Sequence, residues 1–453
     1  MPAVCDLSKM KSVYFAGIGG ISMSSLALIL KNKGIMVSGY DFKESETTKM
    51  LEENGIKIDY TYEAADFPDA DTVVYTAALK NDDPILIKAR ERNLSVFTRA
   101  ELLGAITSDY KHSVGVAGTH GKSSTTGFLA EICLAAKNDS TILAGAVMPS
   151  VGSTFTVGGG DCAVFEACEY KNSYHSMQPT IKTILNVELD HVDFFGNLEN
   201  VIESFRKYIS KPGKNGENIA VVNLDNKNAF EAAKNTGADV KYFSLREKTD
   251  YYALNVDLSD GYGDFDIMKG ESLLCHVKLS VPGIHNVANA TAAAASADLC
   301  EIDSFAIKAG LENFIGVKRR FEKVKQLEND IVVIDDYAHH PDEIETTLNS
   351  AKNVARGKVI CIFQPHTYSR TKALFGDFVK ALSIADKVLL APIYAARETD
   401  TLGISSDNLA EKIKGAESLY SFDELKARAT ELAENGDMVI TMGAGDIYKV
   451  FAE

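Results

Sequence analysis

Residues 112–137 read HSVGVAGTHGKSSTTGFLAEICLAAK. The first six form an apolar, β-branched run that suits a buried strand, and from Thr125 onward apolar residues recur at helical spacing. Between them lies Gly118-Thr119-His120-Gly121-Lys122-Ser123-Ser124. A glycine-rich loop between a strand and a helix cradles phosphates: backbone amides and the helix dipole face the anion, the Lys reaches the β/γ oxygens, and the next hydroxyl ligates Mg²⁺. The strict eight-residue pattern asks for Gly five positions before Gly121, where this chain has Val116, so the G-K-[ST] core stands on a shortened lead.

Working outward, short Val/Ile-rich runs alternate with helical patterns along nearly the whole chain, as in SVYFAGIGG, IMVSGYD and DTVVYTAA near the start. This alternation predicts an α/β fold of parallel sheets. A second series opens at residue 112 and a third at DIVVIDDYAHHPDE, so boundaries fall near 110 and 317. Residues 241–281, with turn signals at SDGYGD and MKGES, predict hairpins and a mixed sheet in the middle domain. The length of 453 residues is too great for one core, in line with three domains. Lys plus Arg number 47 against 63 for Asp plus Glu, a formal charge of −16, which argues against nucleic-acid or anionic-membrane partners. Seven scattered cysteines without a C-x-x-C pair, and no long apolar segment, predict a cytoplasmic protein without a membrane span.

Five further polar segments follow apolar runs. Gly17-Ile-Gly19-Gly20-Ile-Ser22 fits a turn that approaches a pyrophosphate, with Asp41 at the end of the next strand where a ribose-binding acid would sit; a tight turn with a surface Asp is the plainer alternative. Glu166 and His191 each lie just past an apolar run, and a strand-end Glu suits a hard divalent cation. Their separation of 25 residues does not join them into one site, and a lone His is as readily structural. Arg319-Arg320, then Asp335-Asp336-Tyr337-Ala338-His339-His340-Pro341, flank the strand that opens the third series. Gln364-Pro-His366-Thr-Tyr368-Ser-Arg370 follows KVICIF. Polar loops placed repeatedly after strands predict one site assembled between domains.

These motifs, in this order, resemble the Mur ligases over essentially the whole chain: GIGGISMS, GTHGKSSTT, FEACEYKNS, NVELDHVDFF, PGIHNVANATAA, KRRFE, DDYAHHPDE, QPHTYSR and GAGDIYK. The resemblance implies a Rossmann-like N-terminal domain (1–110) that binds a UDP-sugar, a central P-loop ATPase domain with a mixed sheet (111–317) and a Rossmann-like C-terminal domain (318–453) that receives an amino acid. It implies ATP and Mg²⁺ as cofactors, UDP-N-acetylmuramate and L-alanine as substrates, and a monomer or homodimer. Residue by residue, Gly17, Gly19, Gly20, Ser22 and Met23 would face the substrate pyrophosphate, with Asp41 near the uridine. Gly118, Thr119, His120, Gly121, Lys122, Ser123 and Ser124 would hold the ATP phosphates. Ser123, Glu166 and His191 would hold the metal, Asn289 and Arg320 would touch ATP, and Asp336 would approach the nucleotide on closure. Tyr337, His340, His366 and Arg370 would take the alanine.

The chain departs from the commonest family pattern at Ser22 (Gly), Ser123-Ser124 (Thr), Cys168 (Asp) and Thr367 (Arg). Ser at the metal keeps the hydroxyl, whereas Cys168 and Thr367 each lose a charge. The implied chemistry phosphorylates a carboxylate, with Lys122, Arg320 and Mg²⁺ spreading charge, and an amine then displaces phosphate. His340 or His366 would take the amine proton, and the C-terminal domain would close first to keep water out. The nearest alternative within the family adds a whole tripeptide to UDP-N-acetylmuramate during cell-wall recycling. From other classes come an NAD-dependent oxidoreductase built on GIGGIS and Asp41, which leaves GTHGKSS and DDYAHHP without a task, and a non-catalytic nucleotide sensor.

Overall fold

The computed structural model describes residues 5–61, 70–76, 79–80, 82–213, 216–396, 398–400 and 402–452. Among these described residues, three sheets follow one another along the chain, joined by segments 99–111 and 283–321. The first has five parallel strands ordered 57–59, 36–40, 12–16, 72–75, 95–98. Its order reverses beside Ser12–Ala16, and the Gly17–Gly20 turn leaves that strand at its carboxyl end. Ligands of doubly wound sheets bind at such a switch point.

The central sheet has ten strands. The phosphate-loop strand His112–Ala117 lies between Cys162–Glu166 and Ile181–Ile184, parallel to both. Their carboxyl ends therefore emerge at one edge, with Val116 opposite Glu166 and Ala117 opposite Ile184. Residues 251–282 supply three strands joined by antiparallel pairing, and residues 141–156 a second antiparallel pair, so the sheet is mixed. The helices Lys122–Ala135 and Ile284–Leu299 pack on one face, where the run Ala292–Ala295 is fully buried and lets backbones approach closely.

The third sheet has six strands, 322–326, 332–336, 438–442, 359–363, 387–390 and 417–418. Its first strand, Glu322–Gln326, pairs antiparallel at the edge. The sequence pattern sets the boundary near 317, ahead of this strand, but reads DIVVI as the first strand of the unit. The strand EKVKQ is mostly exposed and charged, which protects an edge from pairing with other chains and leaves no apolar alternation to read. Apolar clusters cover both faces of this sheet, and another cluster continues from the first sheet through Tyr110 onto the central sheet, where Tyr110 and Phe165 meet at 6.1 Å. Among the described residues, no helix is long and apolar enough to cross a membrane.

Candidate functional site

The phosphate loop owes its shape to two features. Gly121 caps the following helix at φ 84, and a Cβ there would come within 2.7 Å of Asn289 Oδ1, so glycine is required and Asn289 is drawn against the loop. From the neighbouring strand, Asn186 clamps the loop with its amide: Oδ1 accepts from His120 N at 2.7 Å and Nδ2 donates to His120 O at 3.1 Å. Thr119 Oγ1 accepts from Glu188 N at 2.9 Å.

Two carboxylates from the end of Cys162–Glu166 divide the work beside this loop. Glu166 Oε2 accepts from Ser123 Oγ at 3.0 Å and from Gly145 N at 2.7 Å, and a Cβ on Gly145 would collide with it. Glu169 Oε2 lies 2.9 Å from Lys122 Nζ, which also donates to the carbonyl oxygens of Gly118 and Thr119. Burial works against the Lys122 ammonium, yet the acids around it, Glu169 first, hold its pKa above the ordinary value. Burial likewise opposes the Glu169 carboxylate, and Lys122 and His191 nevertheless keep it below the usual range. His191 Nε2 stands 3.6 Å from Glu169 and 3.8 Å from Asp190, not against Glu166.

The C-terminal sheet closes over the loop. A cavity of about 270 Å³ is lined by residues 119–124, Glu166, Asn289, Arg320, Asp336 and Glu343, among others. Asp336 accepts from Phe321 N and Ala338 N, both at 2.7 Å; burial pushes its carboxyl up to about 6, against the pull of Arg320 and these amides. Glu343, in the first turn of helix Pro341–Val354, gathers the most partners. Its Oε2 accepts from His339 N at 3.0 Å and His340 N at 3.3 Å, while Oε1 meets His120 Nδ1 at 3.2 Å and Arg320 Nη1 at 3.6 Å. Despite burial, His339, His120 and Arg320 hold this carboxyl well below the usual range. A second link between these domains joins Arg370 Nη2 to Asp190 Oδ1 at 3.7 Å.

The first sheet meets the central one at another cavity, of about 250 Å³, lined by Ser22, Arg99, Gly145, Glu166 and Cys168, among others. Arg99 Nη1 donates to Ser22 Oγ at 3.0 Å. Glu166 thus borders both cavities, with the phosphate loop on one side and the Ser22 turn on the other.

The family models match the chain in three consecutive parts: the Mur ligase family catalytic domain over residues 12–111, the Mur ligase middle domain over 116–297, and the Mur ligase glutamate ligase domain over 319–445. The chain belongs to the Mur ligase family. It is 46% identical to UDP-N-acetylmuramate–L-alanine ligase of Lachnospira eligens over 98% of both chains, and 44% identical to the enzyme of that name from Caldicellulosiruptor saccharolyticus over 97% of both. Among solved structures, UDP-N-acetylmuramate-alanine ligase of Thermotoga maritima aligns over 97% of both chains at 29% identity and TM-score 0.76.

In this Mur ligase the two cavities bring together Thr119 to Ser124, Glu166, Asn289, Arg320 and Asp336 around one, and Ser22 and Glu166 around the other. Gly118 accepts from Lys122 and stands at the base of the loop. Other expected residues stand apart. The Met23 side chain is buried in the core of the first sheet, and Asp41 is turned onto the glycine turn, where Oδ2 accepts from Gly19 N at 2.7 Å. Gly17 donates its amide to Tyr40 O, and Gly20 caps the helix Ile21–Asn32. His340 caps Pro341–Val354, 5.8 Å ring to ring from His120. His366 stacks on Tyr394, and burial, with His339 and Arg370 nearby, pushes it down to about 4. The twin arginines have separate tasks: Arg319 is bound to Asp335, Gly443 and Gly445, and Arg320 faces the cavity. His191, Arg319 and Thr367 adopt positive φ of 51, 62 and 66, conformations that non-glycine residues hold only where the surroundings enforce them.

Sequence reasoning missed Glu169, Glu343, Asn186, Glu188 and Arg99. Glu343 carried one signal, its place three residues after His340 in a capping pattern. Glu169, Asn186 and Glu188 are single polar residues in segments after strands, Arg99 opens the helix Arg99–Thr107, and only the strand order brings them to the site.

Proposed function

We propose that this chain is an ATP-dependent ligase that joins L-alanine to the lactyl carboxylate of UDP-N-acetylmuramate through an acyl phosphate, releasing ADP and phosphate for peptidoglycan precursor synthesis. The observation that carries this reading is the cavity where the phosphate loop, Glu166 and Asn289 face Arg320 and Asp336. Relatives aligned over 97–98% of both chains are UDP-N-acetylmuramate–L-alanine ligases, and their name supplies the substrates. The sugar nucleotide is assigned to residues 1–110, ATP to 111–317 and the amino acid to 318–453.

A carboxylate does not acylate an amine directly, because its leaving group would be an oxide; phosphorylation converts it. Lys122 must exchange Glu169 for the transferring phosphoryl group, and Arg320 spreads the charge that develops there. Glu166 borders both cavities, so the carboxylate entering from the Ser22 and Arg99 side meets the phosphoryl group beside it. Ser123 Oγ and Glu166 Oε2, hard oxygens 3.0 Å apart, fit Mg²⁺, with His191 toward the Glu169 side. That ion, when bound, neutralises phosphate charge. His366, down at about 4, is a weak proton acceptor near neutrality, which favours His340 for the alanine amine. Contacts from His120 to Glu343 and from Asp190 to Arg370 support a closing C-terminal domain that excludes water. Seven unpaired cysteines suit a reducing cytoplasm, and a monomer or homodimer is the assembly proposed.

The test is a ligation assay in which L-alanine competes with the tripeptide L-alanyl-γ-D-glutamyl-meso-diaminopimelate. Phosphate release that needs ATP, UDP-N-acetylmuramate and L-alanine together supports the reading. Preference for the tripeptide, or release without an amine acceptor, overturns it.

A further inference from the structure

The seam between the central and C-terminal domains holds a second set of donors whose chemistry differs from that of Ser123 and Glu166. One ligand atom each from His120, His340 and Asp342 lies within 4.8 Å of the other two. His120 belongs to the phosphate loop, whereas His340 and Asp342 open the helix Pro341–Val354, so the set spans two domains.

The protonation pattern of His120 makes this cluster more than a chance grouping. Its Nδ1 faces Glu343 Oε1 at 3.2 Å, and that carboxylate already accepts from the amides of His339 and His340 and faces the Arg320 guanidinium, so Nδ1 is the donor of the pair. In the neutral ring Nε2 then presents a lone pair. That Nε2 atom is buried and has no hydrogen-bond partner. The Glu188 carboxylate is 3.6 Å away, beyond good hydrogen-bonding range, and His340 Nδ1 lies 3.3 Å from Asp342 Oδ2. His120 Nε2 thus faces two carboxylates and a second imidazole whose Nδ1 accepts only a long bond, 3.4 Å, from the Asp342 amide, an arrangement that a cation satisfies.

We propose that His120 Nε2, His340 and Asp342, with Glu188 as a fourth group in reach, bind a borderline-soft divalent cation, Zn²⁺ in particular, at a site separate from the Ser123–Glu166 pair. Two imidazoles and a carboxylate form a ligand set that Zn²⁺ favours and Mg²⁺ does not. The hydrogen bond from His120 Nδ1 to Glu343 is the outer-shell contact that fixes tautomer and ring orientation in such centres. Tetrahedral ligation at ~2.0–2.1 Å sets donor atoms about 3.3 Å apart, so the cluster must contract by at most roughly 1.5 Å. The Asp342 side chain is 57% exposed and takes part of that movement, the rest falling on the seam between the two domains. The ion would tie the phosphate loop to the C-terminal domain. If the proposed ligation is right, it would also withdraw His340 from the amine and slow turnover, whereas ion binding itself does not depend on that reading.

The experiment titrates the full chain with Co²⁺ in excess Mg²⁺, which occupies the hard-oxygen sites. One equivalent should give the intense visible absorption of tetrahedral Co²⁺, and Zn²⁺ should erase it. His340→Ala and Asp342→Asn should each weaken binding at least ~10-fold, and Glu343→Gln ~10- to 100-fold through the lost outer-shell contact. Asp342→Asn alters an exposed side chain, so its result does not depend on a damaged fold. His276→Ala, at the exposed His276–Asp264–Asp266 group, should leave the spectrum intact. No tetrahedral spectrum in the wild type, or one unchanged in both His340→Ala and Asp342→Asn, overturns the proposal.

Discussion

Replacing Glu343 by Gln isolates the contact that docks the C-terminal domain on the phosphate loop. Gln has the same shape, and its carbonyl oxygen can keep the amides of His339 and His340, so the helix cap survives. Its NH₂ group must then face the Nδ1 proton of His120 and the Arg320 guanidinium, donor against donor. A hydrogen bond to a charged group is worth ~1.5–3 kcal/mol, and removing one partner of a buried ion pair costs ~3–5 kcal/mol. Arg320 is one-third exposed, which moves the total toward the low end, about 3 kcal/mol. Because His120 and Glu343 belong to different domains, most of this falls on docking, a shift on the order of 100-fold in the closed-to-open ratio. Small-angle scattering of the ligand-free protein should show expansion in the variant. The His120 titration should move too: burial pushes this ring down while Glu343, then Glu188, raise it above the ordinary value. In the variant only Glu188 opposes burial, so NMR should find His120 titrating lower. An unchanged scattering profile together with an unchanged His120 titration would refute the docking role.

Other consequences follow from single contacts. Lys122→Ala should abolish ligation while calorimetry still finds sugar-nucleotide binding; equal loss of both would mean that the tasks of the first two domains are wrongly assigned. Arg99→Ala, which removes the donor to Ser22, should raise KM for the sugar nucleotide ~10- to 100-fold with KM for ATP unchanged, and a parallel change in both would remove Arg99 from that site. Asp336 sets a pH dependence. Its carboxyl, ordinarily at 3.8, lies at about 6 in the fold, so between these values the folded chain holds a proton that the unfolded chain has lost. Stability should therefore fall by roughly 3 kcal/mol as pH rises across that window and level off above it. Hydrogen exchange in the C-terminal sheet measures this, and Asp336→Asn should flatten it; identical profiles would show that Asp336 titrates normally. His191→Ala should raise the Mg²⁺ requirement, and an unaltered metal titration would reduce His191 to a structural residue.

Much was legible along the chain because its signals are local. Apolar runs alternating with helical spacing announce α/β units, and a strand leading through Gly118–Ser124 into a helix announces a phosphate loop, since turn geometry and helix starts depend on adjacent residues. The antiparallel patch in 251–282 likewise left turn signals. What adjacency does not encode is which loop ends meet. The strand order places 118–124, 166–169 and 185–191 side by side, and that order makes Glu169 the partner of Lys122 while Glu166 takes Ser123. Spacing could not turn Asp41 onto Gly19, bury Met23, or send Arg319 to Asp335 and Arg320 to the cavity. These depend on side-chain direction and packing between distant segments, where a one-residue step along a strand reverses the face a side chain occupies.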